Sequence, residues 1–109
     1  MGLFRRRSES VTPHVSTPVR ADVIAIADAV PRQRICVIGQ VARMRARPAT
    51  GIPSLAVTIS DDTGSMVAVW TGRRAIGGIT LGRTVLIEGV ARPVGDRLEM
   101  TNPLYTLLP

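Results

Sequence analysis

Cysteine and long apolar stretches are both scarce in this sequence. Its single cysteine, Cys36, cannot form an internal disulfide, which argues against a disulfide-stabilised secreted domain. No apolar stretch reaches the length needed to cross a bilayer, and the basic start MGLFRRRSES is not followed by the apolar region of a signal peptide. We therefore expect a cytoplasmic protein that does not enter a membrane.

The groups that usually carry catalysis are also too few for an active site. His14 is the only histidine, whereas a metal site needs several converging ligands. Asp61 and Asp62 are adjacent in a turn, where acids usually serve turn geometry. Cys36 has no histidine close to it in sequence and is expected to be a small packing residue. We expect no enzymatic activity, no metal and no cofactor.

Lysine is absent, and this defines the charge of the chain. All 14 basic residues are arginine against 8 acidic residues, which gives a formal net charge of +6. A surplus of cations favours a polyanionic partner such as nucleic acid. Because arginine occurs with abundant Ala, Val, Gly and Pro, the composition also indicates a GC-rich bacterial genome. The sign of the charge is therefore a better functional signal than the choice of arginine.

Alternating apolar residues predict five β-strands, because a strand exposes its side chains to opposite faces in turn. In chain order they are RICVIGQVARMR, LAVTIS, SMVAVWT, TVLIEGVARPV and RLEMTNPLYTLL. Gly39 permits a bulge or sharp bend in the first strand, and Pro103 should end or kink the fifth. The loop ARPATGIP and the turn DDTG separate the first three strands, and GRRAIGGITLG predicts a short helix or irregular turn before the fourth.

The N-terminal region differs in composition from the strands. Residues 1–20 are rich in Ser, Thr, Pro and Arg, which predicts a flexible basic tail, while 21–109 form the folded domain. Within ADVIAIADAV, apolar residues recur at Val23, Ile26, Ala27 and Val30, the spacing of a helix face that Pro31 would end. The spacing predicts a short helix there, with an extended segment as the alternative.

The order of these elements resembles the OB-fold, a five-stranded Greek-key barrel. RICVIGQV, LAVTISDDTGSMVAVW, LGRTVLIEGVAR and LEMTNPLY are similar to the wedge OB domain of the RecG helicase and to small stand-alone bacterial OB-fold proteins. The resemblance covers about residues 24–107 and implies a noncatalytic domain that touches single-stranded or junction DNA, or RNA. The phosphate loop GxxxxGK[ST] of a helicase motor does not occur in the sequence.

The resemblance also implies where nucleic acid would bind. OB-folds use the face of strands two and three, together with the loops between strands one and two and between strands four and five. Both loops are flanked by arginines here, and guanidinium groups suit phosphate recognition. The alternative is that these arginines are simply solvated. The candidate binding residues are Arg45, Arg47, Thr58, Val67, Val69, Arg73, Arg74, Arg92 and Arg97. Arg5 to Arg7 in the tail either add nonspecific phosphate contacts or serve only as a solubilising terminus.

Trp70 could support the sheet from inside or serve as a stacking platform for a base. If DDTG occupies four residues, Ile59 lies opposite Met66, and Trp70 then shares the core face while Val67 and Val69 point outward. That parity favours a core position for Trp70. An outward Val67 and Val69 would also suit a rival function, a protein interaction or dimerisation module without nucleic acid, by forming a flat apolar face or an exposed edge for a partner strand or a second copy.

Overall fold

The computed structural model describes residues 22–48, 52–73 and 75–109, and within these ranges the chain is built almost entirely of β-strands. The strands are β1 (Val23–Ile24), β2 (Arg34–Pro48), β3 (Pro53–Ser60), β4 (Ser65–Thr71), β5 (Thr84–Val94), β6 (Arg97–Thr101) and β7 (Leu104–Leu107).

Five of these strands close into a ring. Neighbouring strands hydrogen-bond in the order β1-β2-β3-β4-β6-β5-β7. A further pairing of β2 with β5 closes β2, β3, β4, β6 and β5 into the ring. Within the ring, β4 and β6 run parallel and the other pairs run antiparallel. The predicted all-β, five-stranded barrel is therefore confirmed. Closure matters because it pairs backbone groups that an open sheet would expose at its edges.

The predicted N-terminal helix is wrong. Val23 and Ile24 instead form the short strand β1, parallel to β2, and Ile26–Asp28 form a single 3₁₀ turn. Both residues are β-branched, which favours extended backbone, and pairing with β2 gives them the hydrogen bonds of a sheet. An isolated helix of about ten residues is only marginally stable and does not outweigh that pairing. Between β4 and β5 the described residues also contain no helix, so the irregular turn holds there; Ile76 and Ile79 anchor it in the core.

The hairpin of β3 and β4 has the register expected from the sequence. Ile59 pairs with Met66, so one set of alternating side chains points into the ring and forms the centre of the core. Trp70 belongs to that set, with 6% of its surface exposed. Its Nε1–H donates a hydrogen bond to the carbonyl oxygen of Pro103 at 3.2 Å, and Tyr105 meets it edge-on with ring centroids 5.7 Å apart. Trp70 is therefore a core residue and not a surface platform.

Pro103 lies in the break between β6 and β7, so the predicted interruption of the fifth strand is confirmed.

Gly39 lies where β2 passes close to the end of β3. A Cβ atom at this position would lie 2.5 Å from Cγ2 of Ile59 and 2.8 Å from the carbonyl oxygen of Ser60. Any larger residue would push β2 away from β3, so glycine is required where the two strands approach most closely.

Asp61 joins the DDTG turn to the N-terminal segment. Its Oδ1 accepts hydrogen bonds from the amide of Thr63, the hydroxyl of Thr63 and the amide of Gly64, at 2.8, 2.6 and 3.0 Å. Its Oδ2 accepts from the amide of Ile26 at 3.0 Å. These donors favour the ionised carboxylate and lower its pKa from 3.8 to about 2, with the Thr63 hydroxyl as the largest cause.

We predict that Asp61→Asn destabilises the fold and flattens its acid dependence. Because the folded pKa lies below the unfolded value of 3.8, the stabilisation is complete above that pH and is lost as the pH falls towards about 2. Thermal melts between pH 7 and pH 2 should show a lower Tm for the variant at neutral pH and a smaller acid-induced decrease. The exposed neighbour gives the control, because Asp62→Asn removes the same charge but none of these hydrogen bonds and should leave the Tm at neutral pH unchanged. Identical profiles for Asp61→Asn and wild type would contradict the assignment.

Candidate nucleic-acid interface

Arginine residues form a row along the outer face of β2. Arg43, Arg45 and Arg47 pair in register with Thr58, Ala56 and Ser54 of β3, and all three arginines are exposed. They point outward because the register shifts between Val41 and Arg43, so the strand carries one extra residue there. Before the bulge the odd-numbered residues of β2 face the core; after it they face solvent. We call Arg43, Arg45 and Arg47 the arginine row.

This placement corrects the expected position of Arg45 and Arg47. They were expected to flank a loop beginning at Ala46, but β2 continues through Pro48 and places both within a regular strand. A strand holds side chains at fixed intervals of ~6.6 Å on one face, so the row is more ordered than loop arginines would be. Arg43 was missed by the sequence analysis, although its alternation with Arg45 and Arg47 was a usable signal.

A second group of arginines lies across the outer face, on the hairpin of β5 and β6. Arg92 pairs with Glu99, and Val94 pairs with Arg97 across the two-residue turn. Glu99 in turn pairs with Val67 of β4, which places Arg92, Arg97 and Glu99 on the same outer face as the arginine row. We call Arg92 and Arg97 the hairpin pair. Both side chains are exposed.

The strands between the two groups carry small and β-branched residues. Thr58, Val67 and Val69 point outward as the register requires, and Thr58 is half-buried. Val67 and Val69 are only 3% and 7% exposed, however, and form a small apolar cluster with Ala56. Val67 and Val69 therefore face outward, as the sequence predicts, but offer little open surface.

An ion pair links the two groups of arginines. Nη2 of Arg47 lies 3.6 Å from Oε2 of Glu99, whose side chain is 7% exposed. Since β3 and β4 lie between β2 and β6, the two side chains meet above those strands. Glu99 also lowers the net positive charge of this face by one.

The remaining candidates do not join this arrangement. Arg73 is exposed just beyond the end of β4, and no strand register places it on the outer face. Arg74, the tail arginines Arg5 to Arg7 and His14 lie outside the residues that the structure describes. Cys36 is fully buried, as expected, and burial with the nearby Glu88 carboxylate raises the pKa of its thiol to about 12. A protonated, inaccessible thiol is no nucleophile.

Comparison with known proteins rests on structure alone, because no family model and no curated protein matches the chain. A domain of replication protein A from Methanococcus maripaludis matches with a TM-score of 0.64 at 17% identity, over 80% of this chain and 96% of that domain. The replication factor A related protein from Methanobacterium thermoautotrophicum matches with a TM-score of 0.63 at 21% identity, over 86% of this chain and 96% of that chain.

RecG, whose structure was determined bound to a three-way DNA junction, also matches. The TM-score is 0.67 at 14% identity, and the match covers 78% of this chain but 12% of RecG. These likenesses show that the chain has an OB-fold, similar to domains of archaeal replication protein A and of RecG, as the resemblance implied.

None of the helical segments in the described ranges has the length and apolar character of a membrane span.

Proposed function

We propose that this chain is a noncatalytic OB-fold module that binds nucleic acid, as single-stranded or junction DNA or as RNA, across the outer face of β2, β3, β4 and β6. The observation that carries the proposal is the placement of arginines on both sides of one sheet face: the arginine row on β2 and the hairpin pair on β5 and β6. Two lines of guanidinium groups can hold successive phosphates of one strand that crosses between them.

The chemistry of the face favours nonspecific contact with a backbone. Within the described residues the face offers no exposed aromatic ring, because Trp70 is in the core and Tyr105, which is 38% exposed, lies on β7 outside the face. Base stacking, which adds ~1–3 kcal/mol per base in other single-strand-binding proteins, is therefore weak. Affinity rests mainly on phosphate contacts and should be modest and strongly dependent on salt.

The likeness to domains of replication protein A, and to RecG, whose structure was determined bound to a three-way DNA junction, supports the same function by analogy of fold. The rival function, a protein interaction module, would use Val67 and Val69 as a flat apolar face or offer an exposed edge to a partner strand. Both valines are buried, which argues against the apolar face. The observations on the outer face therefore favour nucleic acid.

Fluorescence anisotropy with labelled single-stranded DNA, single-stranded RNA, duplex and three-way-junction DNA tests the proposal. We expect binding to single-stranded or branched substrates, with the logarithm of affinity falling by about 3 units per tenfold rise in salt, the value for four or five phosphate contacts. Absence of binding to every substrate, or binding that ignores salt, would refute the proposal. Light scattering should accompany it, because a stable dimer that does not respond to any oligonucleotide would support the rival.

A further inference from the structure

A second concave site lies beside the proposed binding face and contains none of the arginine row. It is an open pocket of about 500 Å³ between β5 and the segment that joins β6 to β7. Arg34, Glu88, Val90, Arg92, Pro103 and Leu104 are among its lining residues. This volume falls within the range of pockets that hold small ligands.

A fixed guanidinium group forms one wall of the pocket. Nε of Arg34 donates a hydrogen bond to Oε2 of Glu88 at 2.7 Å, and Glu88 is only 2% exposed. A buried carboxylate that binds the Nε edge holds the guanidinium in one orientation. The Arg34 side chain nevertheless keeps half of its surface exposed, so its terminal nitrogens remain accessible to a ligand. Arg92 supplies a second guanidinium group, which makes the pocket net positive.

Apolar side chains form the other wall. Val90 and Leu104 are 51% and 43% exposed, so their apolar surfaces are open to a ligand. Val90 pairs with Arg34, and Leu104 pairs with Glu88, so the two side chains flank the ion pair directly. A ligand for this pocket therefore combines an anionic group with a flat or apolar group. A nucleotide has this combination, with a phosphate for the guanidinium groups and a base for the apolar wall.

Arg92 connects the pocket to the proposed binding face. It lines the pocket and is also the cross-strand partner of Glu99, the carboxylate that pairs with Arg47. A nucleic-acid strand held between the arginine row and the hairpin pair would pass Arg92 where it leaves the outer face. The pocket begins at the same residue.

The geometry points to a nucleotide subsite in this pocket: one additional nucleotide of the bound strand places its phosphate between Arg34 and Arg92 and its base against Val90 and Leu104. This inference rests on the proposed function and extends the path of the strand beyond the β3 and β4 face. It also assigns Glu88 as the residue that positions Arg34.

The test compares oligonucleotides of increasing length, from about 4 to about 16 nucleotides, the range that OB-folds occupy. Arg34→Gln combined with Glu88→Gln removes the guanidinium group but leaves the net charge of the pocket unchanged and no unpaired buried carboxylate. We expect wild-type affinity for short oligonucleotides and about fivefold weaker binding of long ones.

A second variant reports on the pocket without changing the ion pair. Val90→Glu places a carboxylate at an exposed position in the pocket, and Leu81→Glu adds the same charge at the most exposed large apolar residue in the described chain, outside the pocket. Only Val90→Glu should weaken binding of long oligonucleotides. Backbone amide shifts of Arg34, Val90 and Leu104 in NMR spectra should change on addition of a long oligonucleotide and stay unchanged with a short one.

The outcomes separate the two proposals. If the wild type binds no oligonucleotide of any length, the proposed function fails and the subsite fails with it. If the wild type binds, but the double variant and Val90→Glu match it at every length, the pocket is not a subsite and the proposed function stands.

Discussion

Replacing Arg45, Arg47, Arg92 and Arg97 together by alanine is expected to weaken binding of single-stranded oligonucleotides by about a hundredfold near physiological salt, since each lost phosphate contact costs roughly three- to fivefold. The variant removes two members of the arginine row and the whole hairpin pair, so both sides of the outer face lose charge. The salt dependence should become shallower by about 3 units, because single strands release ~0.7 counterion for each phosphate contact. Anisotropy titrations at several salt concentrations measure both changes.

The matched control removes the same number of charges elsewhere. Arg5, Arg6, Arg7 and Arg20 precede the first described strand, and their replacement by alanine lowers the net charge equally. If the outer face binds the oligonucleotide, this control loses clearly less affinity than the variant that lacks Arg45, Arg47, Arg92 and Arg97. An equal loss in both would mean that total charge governs binding and would contradict the assigned face.

One further variant guards against misfolding. Removing Arg47 leaves the carboxylate of Glu99 buried without its ion-pair partner, which destabilises the fold independently of any ligand. Adding Glu99→Gln to the four substitutions removes that charge and should restore the melting temperature. Weak binding by a variant that melts like the wild type then reports the lost contacts alone.

The barrel could be predicted from the sequence because its signals are local and mutually consistent. Period-two alternation, the DDTG turn and Gly39 each act within a few residues, and the four-residue turn fixes Ile59 opposite Met66. That register decides the direction of every side chain in β3 and β4, including Trp70. The predicted bounds of the third and fourth strands therefore coincide with β4 and β5.

The errors arose where distant parts of the chain decide the local structure. The apolar spacing at Val23 and Ile26 suits a helix, but pairing with β2 and the hydrogen bond from Ile26 to Asp61 select an extended segment and a 3₁₀ turn. The bulge near Ala42 is invisible to alternation, because either parity of β2 is locally acceptable. Likewise, alternation does not reveal that the outward-facing Val67 is buried, or that Arg47 and Glu99, far apart in sequence, form an ion pair.

The arrangement of these arginines could be predicted only in part. The sequence indicated two groups of arginines, Arg45 with Arg47 and Arg92 with Arg97. The strand register places both groups on one face of the sheet. The loop position of the first group was wrong, because Pro and Gly after Ala46 suggested that the strand ended early. The pocket around Arg34 could not be anticipated, since it forms only where β5 meets the segment between β6 and β7.

Trp70→Ala is expected to destabilise the protein by ~3–5 kcal/mol, the usual cost of deleting a buried large aromatic side chain. Small domains have only ~5–15 kcal/mol of stability in total, so the variant should be largely unfolded at moderate temperature. The loss is large because the indole fills the core beside Leu55 and Tyr105 and donates to the Pro103 carbonyl. Thermal or urea denaturation followed by circular dichroism measures the change.

Trp70→Phe separates the structural role from a role in binding. Phenylalanine keeps an aromatic ring in the core but loses the Nε1–H donor, so we expect a smaller loss of stability and a folded protein. Because Trp70 faces the core, the folded variant should bind oligonucleotides with wild-type affinity. A stacking platform would instead lose part of the ~1–3 kcal/mol that base stacking contributes. A folded Trp70→Phe protein with clearly weakened binding would place the indole in contact with the ligand, and so would contradict the core position that the β3 and β4 register requires.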